Sequence, residues 1–292
     1  MGLVTIALVQ LIAFVAVYRF FVLTARGQSL DTVALASNEL GGEHVATLVN
    51  GVLNAISVAA VVIAMLVVGF IALVRQRIAL AVTSVVLIAG ANLTVELLKR
   101  YLDRPNLGID PERAGAGNSF PSGHTAIAAS VAVAFVLVLP PKARGAGAVI
   151  GTFYTALVGV FTMSAGWHRP SDAVGALLIV GVWAALAGIL LRVLRRRGDR
   201  VVDMESHKIA GISLAMIGLI GLGIAVIGLN VTDDTALQLI ASHQSLEHDV
   251  SGHRMLAAYL GSVAGILATA SLMMALILLT VHRVVPRRPG AP

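Results

Sequence analysis

The residues best suited to chemistry gather in two short stretches. The first runs Lys99-Arg100-Tyr101-Leu102-Asp103-Arg104-Pro105, passes through a glycine-containing segment and continues as Asn118-Ser119-Phe120-Pro121-Ser122-Gly123-His124-Thr125. The second is Gly166-Trp167-His168-Arg169-Pro170-Ser171-Asp172. The i,i+4 spacing of His168 and Asp172 puts both on one face of a helix that begins near Pro170, a residue favoured in a first helical turn. Asp172 can then accept a hydrogen bond from one ring nitrogen of His168 and leave the other as a nucleophile or base. Ser122 and Gly123 stand just before an apolar run, where the free N–H groups and positive dipole end of a helix suit a phosphate. Lys99 and Arg104, with Arg100 or Arg169, offer the cations to neutralise its remaining charge. A histidine pair, one member oriented by a carboxylate, beside such an anion cradle reads as phosphoryl transfer without a metal. The chain has no cysteine, which excludes disulfides, thiolate metal sites and a thiol nucleophile.

The elements that position these residues must be membrane helices. Of 292 residues, 58% are hydrophobic and 12% charged, and the mean hydropathy is +0.91. Soluble domains run near 45–50% apolar and about 25% charged, so this chain has too little polar surface to cover itself in water. A helix needs about 17–25 apolar residues to cross the hydrocarbon core. Eight stretches approach or exceed that length: Gly2–Leu23, Ala46–Val74, Ile78–Leu98, His124–Leu139, Ala148–Ala165, Asp172–Val193, Ile209–Asn230 and Met255–Val281. They are apolar all round, as lipid or neighbouring spans require. The first lacks the basic flank and cleavage site of a signal peptide, so it is expected to remain as a span.

Orientation follows from the cations. One set of loops holds thirteen Lys and Arg, including the run from Arg192 to Arg200, and the alternate set holds seven. The richer set is expected to be cytoplasmic, with both termini. The site loops then lie outside. From His124 one span descends, turns at Pro140-Pro141 and is followed by another that climbs to His168. At about 1.5 Å per residue the two legs are comparable, so both histidines return to one face.

Pro-Ser-Gly-His followed by His-x-x-x-Asp, with an upstream Lys and Arg-Pro, resembles the type 2 phosphatidic acid phosphatase superfamily, integral membrane lipid phosphatases related to soluble vanadium haloperoxidases. The resemblance covers 95–185 in detail and a six-helix core over about 1–195 in topology. It implies that His168 attacks phosphorus to form a phosphohistidine and that Asp172 orients it. It also implies that His124 protonates the leaving oxygen and then activates water, and that Lys99, Ser122 and Gly123 bind phosphate. The first and third motifs are atypical. The first usually has six residues between the lysine and Arg-Pro, which puts Asn106-Leu107 at that position, whereas Arg104-Pro105 come two residues early. The third usually has Ser-Arg where Phe161-Thr162 stand. Arg104, Arg100 and Arg169 are the available replacements.

The expected fold is therefore an all-α polytopic bundle of about eight transmembrane helices. Residues 1–198 would form the phosphatase core, and 199–292 two further helices and a basic tail. The expected protein is a multi-pass enzyme of the cell membrane that hydrolyses a lipid phosphate or diphosphate on the extracytoplasmic face. Polyprenyl diphosphate, phosphatidylglycerol phosphate and phosphatidic acid all fit. Transfer to a lipid or sugar hydroxyl, or lipid binding with weak chemistry, are the alternatives. No cofactor or metal and no nucleic-acid partner is implied. His243, Glu247, His248, Asp249 and His253 crowd an outer loop, but an i,i+4 His/Glu pair is too little spacing to specify a metal site. The basic run reads as a topology signal and an anionic-lipid contact. Asn54 and Asn92 read as interhelical hydrogen-bond partners, Arg100 as a partner of Glu96, Asp103 and Arg113 as solvated loop charges, and Gly218–Gly223 as a close-packing patch. The outer loops 25–45 and 231–253 carry no readable chemistry.

Overall fold

A computed structural model describes residues 2–36, 58–74, 77–110, 117–194, 205–242 and 252–281, and every regular element among them is a helix. In chain order these are α1 (Leu3–Val17), continued by a π turn at Tyr18–Val22, α2 (Ala25–Ala36), α3 (Val58–Val74), α4 (Ile78–Tyr101) and α5 (Gly123–Val138). Then follow α6 (Pro141–Ser164), α7 (Pro170–Leu194), α8 (Glu205–Ser242) and α9 (Gly252–Val281). Six of the helical stretches, Leu3–Val22, Ile78–Tyr101, Pro141–Ser164, Pro170–Leu194, His207–Gln238 and Gly252–Thr280, are long and apolar enough to cross a membrane; α5 is a shorter apolar helix. The 17 residues of α3 are also apolar. The chain is a polytopic membrane helical bundle.

Three boundaries differ from expectation for physical reasons. The Pro140-Pro141 pair does not merely mark a turn: Pro141 opens α6, where its missing N–H is one the first turn would leave unbonded in any case. α8 runs on through the mixed residues 231–242 because its packing continues past the apolar stretch; Thr232 and Thr235 are both buried. Within the expected loop 25–45, residues Ala25–Ala36 form α2, most of it buried although its sequence is mixed. Tertiary contact, more than propensity, decides such short helices.

One hydrophobic core runs through the bundle. It joins Leu87, Ile88 and Ala91 of α4, Ala129 and Val133 of α5, Met163 of α6 and Leu177 and Val180 of α7. Leu214 of α8 and Ile266 and Met274 of α9 belong to the same cluster, so the final helical pair packs against the others. The expected division at 198/199 falls among residues outside those described. Facing outward, Ile63, Leu66 and Phe70 of α3, Ile150 of α6 and Ile209 and Ile227 of α8 are each at least 60% exposed. An apolar circumference of that kind is stable only against lipid.

Lipid tails give helices no hydrophobic drive to associate, so close backbone packing matters. A Cβ built on Gly228 of α8 would stand 2.8 Å from the Cα of Gly261 of α9. In the Gly218–Gly223 patch a Cβ on Gly218 would meet Leu272 at 2.6 Å, but one on Gly223 would meet nothing within 4 Å. Asn92 Nδ2 donates to Ser130 Oγ at 3.0 Å, the expected bond between α4 and α5. Asn54, Arg113, His243, Glu247, His248 and Asp249 lie outside the described residues.

Candidate active site

The site forms where the C-terminal ends of α4 and α6 meet the N-terminal ends of α5 and α7. Between α6 and α7 the chain turns at Gly166, whose φ of +71° lies in the left-handed region that glycine tolerates. The next two N–H groups, of Trp167 and His168, both donate to the carbonyl of Thr162, at 3.0 and 3.1 Å. That carbonyl sets the height of the His168 backbone. Pro170 then opens α7 and places Asp172 in its first turn, where the helix dipole favours a carboxylate.

Asp172 is fully buried and satisfied on both oxygens. Its Oδ2 accepts from Ser119 Oγ at 2.7 Å and from the Arg169 N–H at 3.0 Å, and lies 3.3 Å from His168 Nδ1. Its Oδ1 accepts from an Arg104 Nη at 3.2 Å. Its carbonyl accepts the Ser122 N–H at 2.9 Å, which joins the two motif stretches directly. With Nδ1 turned to the carboxylate, His168 keeps Nε2 for chemistry.

Ser122 caps α5: its Oγ accepts from the Thr125 N–H at 3.4 Å and the Thr125 hydroxyl at 3.0 Å. His124, in the first turn, is half-buried; its ring centroid lies 5.4 Å from Trp167 and 6.4 Å from His168. Lys99, in the last turn of α4, reaches the same helix start: a Cβ built on Gly123 would stand 3.5 Å from its Nζ. The expected residues His124, His168, Asp172, Lys99, Ser122 and Gly123 thus converge.

The arginines separate into two kinds. Arg100 pairs with Glu96 at 3.0 Å, both side chains more than half exposed. Arg104 and Arg169, in contrast, are under 10% exposed. One Arg104 Nη lies between Asp172 at 3.2 Å and Asp31 at 3.9 Å, while Arg169 donates to Asp110 at 2.8 Å. Arg104 Nε and its second Nη, and Arg169 Nε, have no hydrogen-bond partner among the described residues. A buried unsatisfied donor costs about 1–3 kcal/mol, more when charged, so three on two arginines that line one cavity fit an anionic ligand. Burial, and then the neighbouring Arg104, lower the pKa of Arg169. A polar cavity of about 320 Å³ is lined by Lys99, Arg104, Arg169, Asp110, Gln28 and Asn118 among others.

Sequence reasoning missed four contributors. Ser119 was in view as part of the motif stretch, but nothing in its spacing marked it as an Asp172 partner. Thr162 acts through its carbonyl, which no side-chain pattern reveals. Asp110 is a loop acid without a motif. Asp31, on α2, is 2% exposed; it accepts from the Ser171 N–H at 3.3 Å and from the Ser171 hydroxyl. Burial pushes its carboxyl up to about 7, against the opposing pull of Arg104.

The model of the PAP2 superfamily matches residues 56–199, a span that holds every expected site residue and leaves out α1, α2, α8 and α9. Neither a curated protein nor a solved structure matches the chain significantly.

Proposed function

We propose, from the membership of residues 56–199 in the PAP2 superfamily, that this chain hydrolyses a lipid phosphate or diphosphate through a phosphohistidine. Membership implies phosphatase activity on phosphate esters, commonly lipids; the rest is carried by one observation. His168 holds its Nδ1 toward a buried, fully satisfied Asp172, and beside that pair two buried arginines keep unpartnered donors.

In this reading the phosphate enters with its oxygens on Lys99, Arg104, Arg169 and the N–H groups at the start of α5, where Ser122 and Gly123 stand. His168 Nε2 attacks phosphorus, the P–N bond forms, and the P–O bond to the lipid breaks. Asp172 stabilises the positive charge that develops on the His168 ring. His124, protonated, gives its proton to the departing oxygen. It then takes one from the water that attacks phosphorus, and free phosphate leaves as the P–N bond breaks. The cations act chiefly on the transition state, where charge on the equatorial oxygens must be held without solvent reorganisation. The site opens on the extracytoplasmic face of the cell membrane, with both termini cytoplasmic, as the cation count supports.

Purified protein in detergent, given phosphatidic acid, phosphatidylglycerol phosphate and polyprenyl diphosphate separately, is expected to release phosphate from at least one. His168→Ala is expected to abolish the release. Undiminished activity in that variant would remove His168 as nucleophile. Release that requires an added hydroxyl acceptor would replace hydrolysis by transfer, and tight lipid binding without turnover would leave only a binding scaffold.

A further inference from the structure

The Arg104 guanidinium sits beyond the end of α4, on a stretch that needs outside support to hold a buried cation in place. That support comes from the N-terminal segment, which precedes the family-matched residues. The Tyr18 hydroxyl donates to the Asp103 carbonyl at 2.8 Å, and Gln28 Nε2 donates to the Pro105 carbonyl at 2.9 Å, so the peptide before Arg104 and the one after Pro105 are both pinned. Asp31, one turn further along α2, faces the guanidinium itself at 3.9 Å. The same carboxylate receives the N–H and hydroxyl of Ser171, next to Asp172 in the first turn of α7. α2 in turn is folded tightly against the π turn: a Cβ on Gly27 would lie 2.0 Å from the Phe20 carbonyl oxygen. On its other side Arg26 donates to Asp233 of α8 at 2.6 Å.

We infer that Asp31 is a positioning residue of the active site, which sets the Arg104 guanidinium and the first turn of α7 relative to each other so that Arg104 and His168 act on one phosphate. The inference rests on the phosphatase reading above. It gives α2 a function and gives α8 one through the Arg26–Asp233 pair. Electrostatics supports a role for charge beyond shape. Two carboxylates, Asp31 and Asp172, share one Arg104 Nη, so the hold on Arg104 strengthens when Asp31 ionises. The groups that act on Asp31 are Arg104 and Arg169 from the loops and Asp172 and Ser171 from α7. α8 and α9 present Thr232 and Ser262 to the small cavity beside it, both uncharged, and the nearby Asp233 is occupied by Arg26.

The test compares wild-type protein, Asp31→Asn and Asp31→Ala, full-length in detergent, by phosphate release from the best lipid substrate between pH 5.5 and 8.5 and by orthovanadate binding. Asn keeps a partner for Ser171 but cannot ionise. The Asp31→Asn enzyme is therefore expected to match wild type at pH 5.5, where Asp31 carries its proton, and to fall about tenfold below it in kcat at pH 8.5. Asp31→Ala is expected to lose about 10²-fold in kcat/KM, the scale of a small misplacement of reacting groups. If Asp31→Ala fails to fold, the ratio of Asp31→Asn to wild type still decides. A ratio that does not change with pH, at any level, overturns the inference while leaving the phosphatase reading intact. Wild-type protein that neither releases phosphate nor binds orthovanadate overturns the phosphatase reading and the inference with it.

Discussion

Replacing Arg104 is the sharpest test of the anion site, because its neighbour Arg100 supplies an internal control. Arg104 is buried, its Nε and one Nη are unpartnered among the described residues, and its other Nη holds Asp172 at 3.2 Å. Loss of one preorganised donor to transition-state charge typically costs about 10²–10³ in kcat. Arg104 offers two open donors and a full charge, so Arg104→Ala is expected to reduce kcat by about 10³-fold or more. It should also destabilise the fold by about 3–5 kcal/mol, because Asp31 and Asp172 lose their shared cation. Arg104→Lys keeps a charge but cannot fork between Asp172 and a phosphate. It is expected to restore most of the stability and little of the rate. Arg100 and Glu96 form an exposed i,i+4 pair of the kind worth only about 0.3–0.5 kcal/mol, so Arg100→Ala should stay within about threefold of wild type. The assay is phosphate release at saturating lipid, with melting temperature in the same detergent. Equal defects in Arg100→Ala and Arg104→Ala, or an Arg104→Ala rate within threefold of wild type, would refute the claim that burial and open donors mark the phosphate-binding arginine.

Three further outcomes follow from particular contacts. His124→Ala should lose about 10²–10⁴ in rate on a lipid phosphate, the usual share of a general acid, and much less on an aryl phosphate whose leaving group needs no proton; equal losses on both would remove the acid role. Because the Asp31 carboxyl is raised from 3.8 to about 7 in the folded protein, the fold binds the extra proton and is favoured at low pH. That advantage declines as pH rises from about 4 through 7, by at most about 4 kcal/mol. Asp31→Asn should flatten this part of the melting profile, and an unchanged slope would contradict it. Gly228→Val should lower the melting temperature by separating α8 from α9, since the added atoms meet backbone of Gly261 and Ala257 within 3.0 Å; Gly223→Val, with open space around its Cβ, is the matched control.

The meeting of the two histidines and Asp172 was legible because it is encoded in short-range spacing: an i,i+4 pair at a helix start, and a Ser-Gly pair before an apolar run. Helix type was legible for a similar reason, since lipid imposes one composition on every span. Boundaries were less so where tertiary contact extends a helix past its apolar stretch, as in the last turns of α8. Arg104 could be named as a substitute cation, and Arg100 read as a partner of Glu96 from its i,i+4 spacing, but the burial that separates them was not legible. Four residues of sequence distance put one guanidinium in solvent with Glu96 and the other between two buried carboxylates.

Asp31 shows why the rest was hidden. Its local sequence, Arg26-Gly27-Gln28-Ser29-Leu30-Asp31-Thr32, has neither the apolar periodicity of a span nor the spacing of a catalytic motif, and it lies 73 residues from Arg104 and 140 from Ser171. Such a residue is recognisable only from what an ion pair requires when water is excluded. A buried Arg104 with Asp172 alone would carry the sum of two desolvated charges and leave the guanidinium free to follow whichever anion is nearest. A second carboxylate on a separate helix over-determines its position, and the adjoining bonds from Tyr18 and Gln28 do the same for the backbone on either side. The cost is a carboxyl raised to about 7. A chain that needed only a stable bundle would gain by replacing Asp31 with an apolar side chain, since buried ion pairs often stabilise less than good packing. A buried acid at that point is therefore better explained by the placement of Arg104 than by the stability of α2.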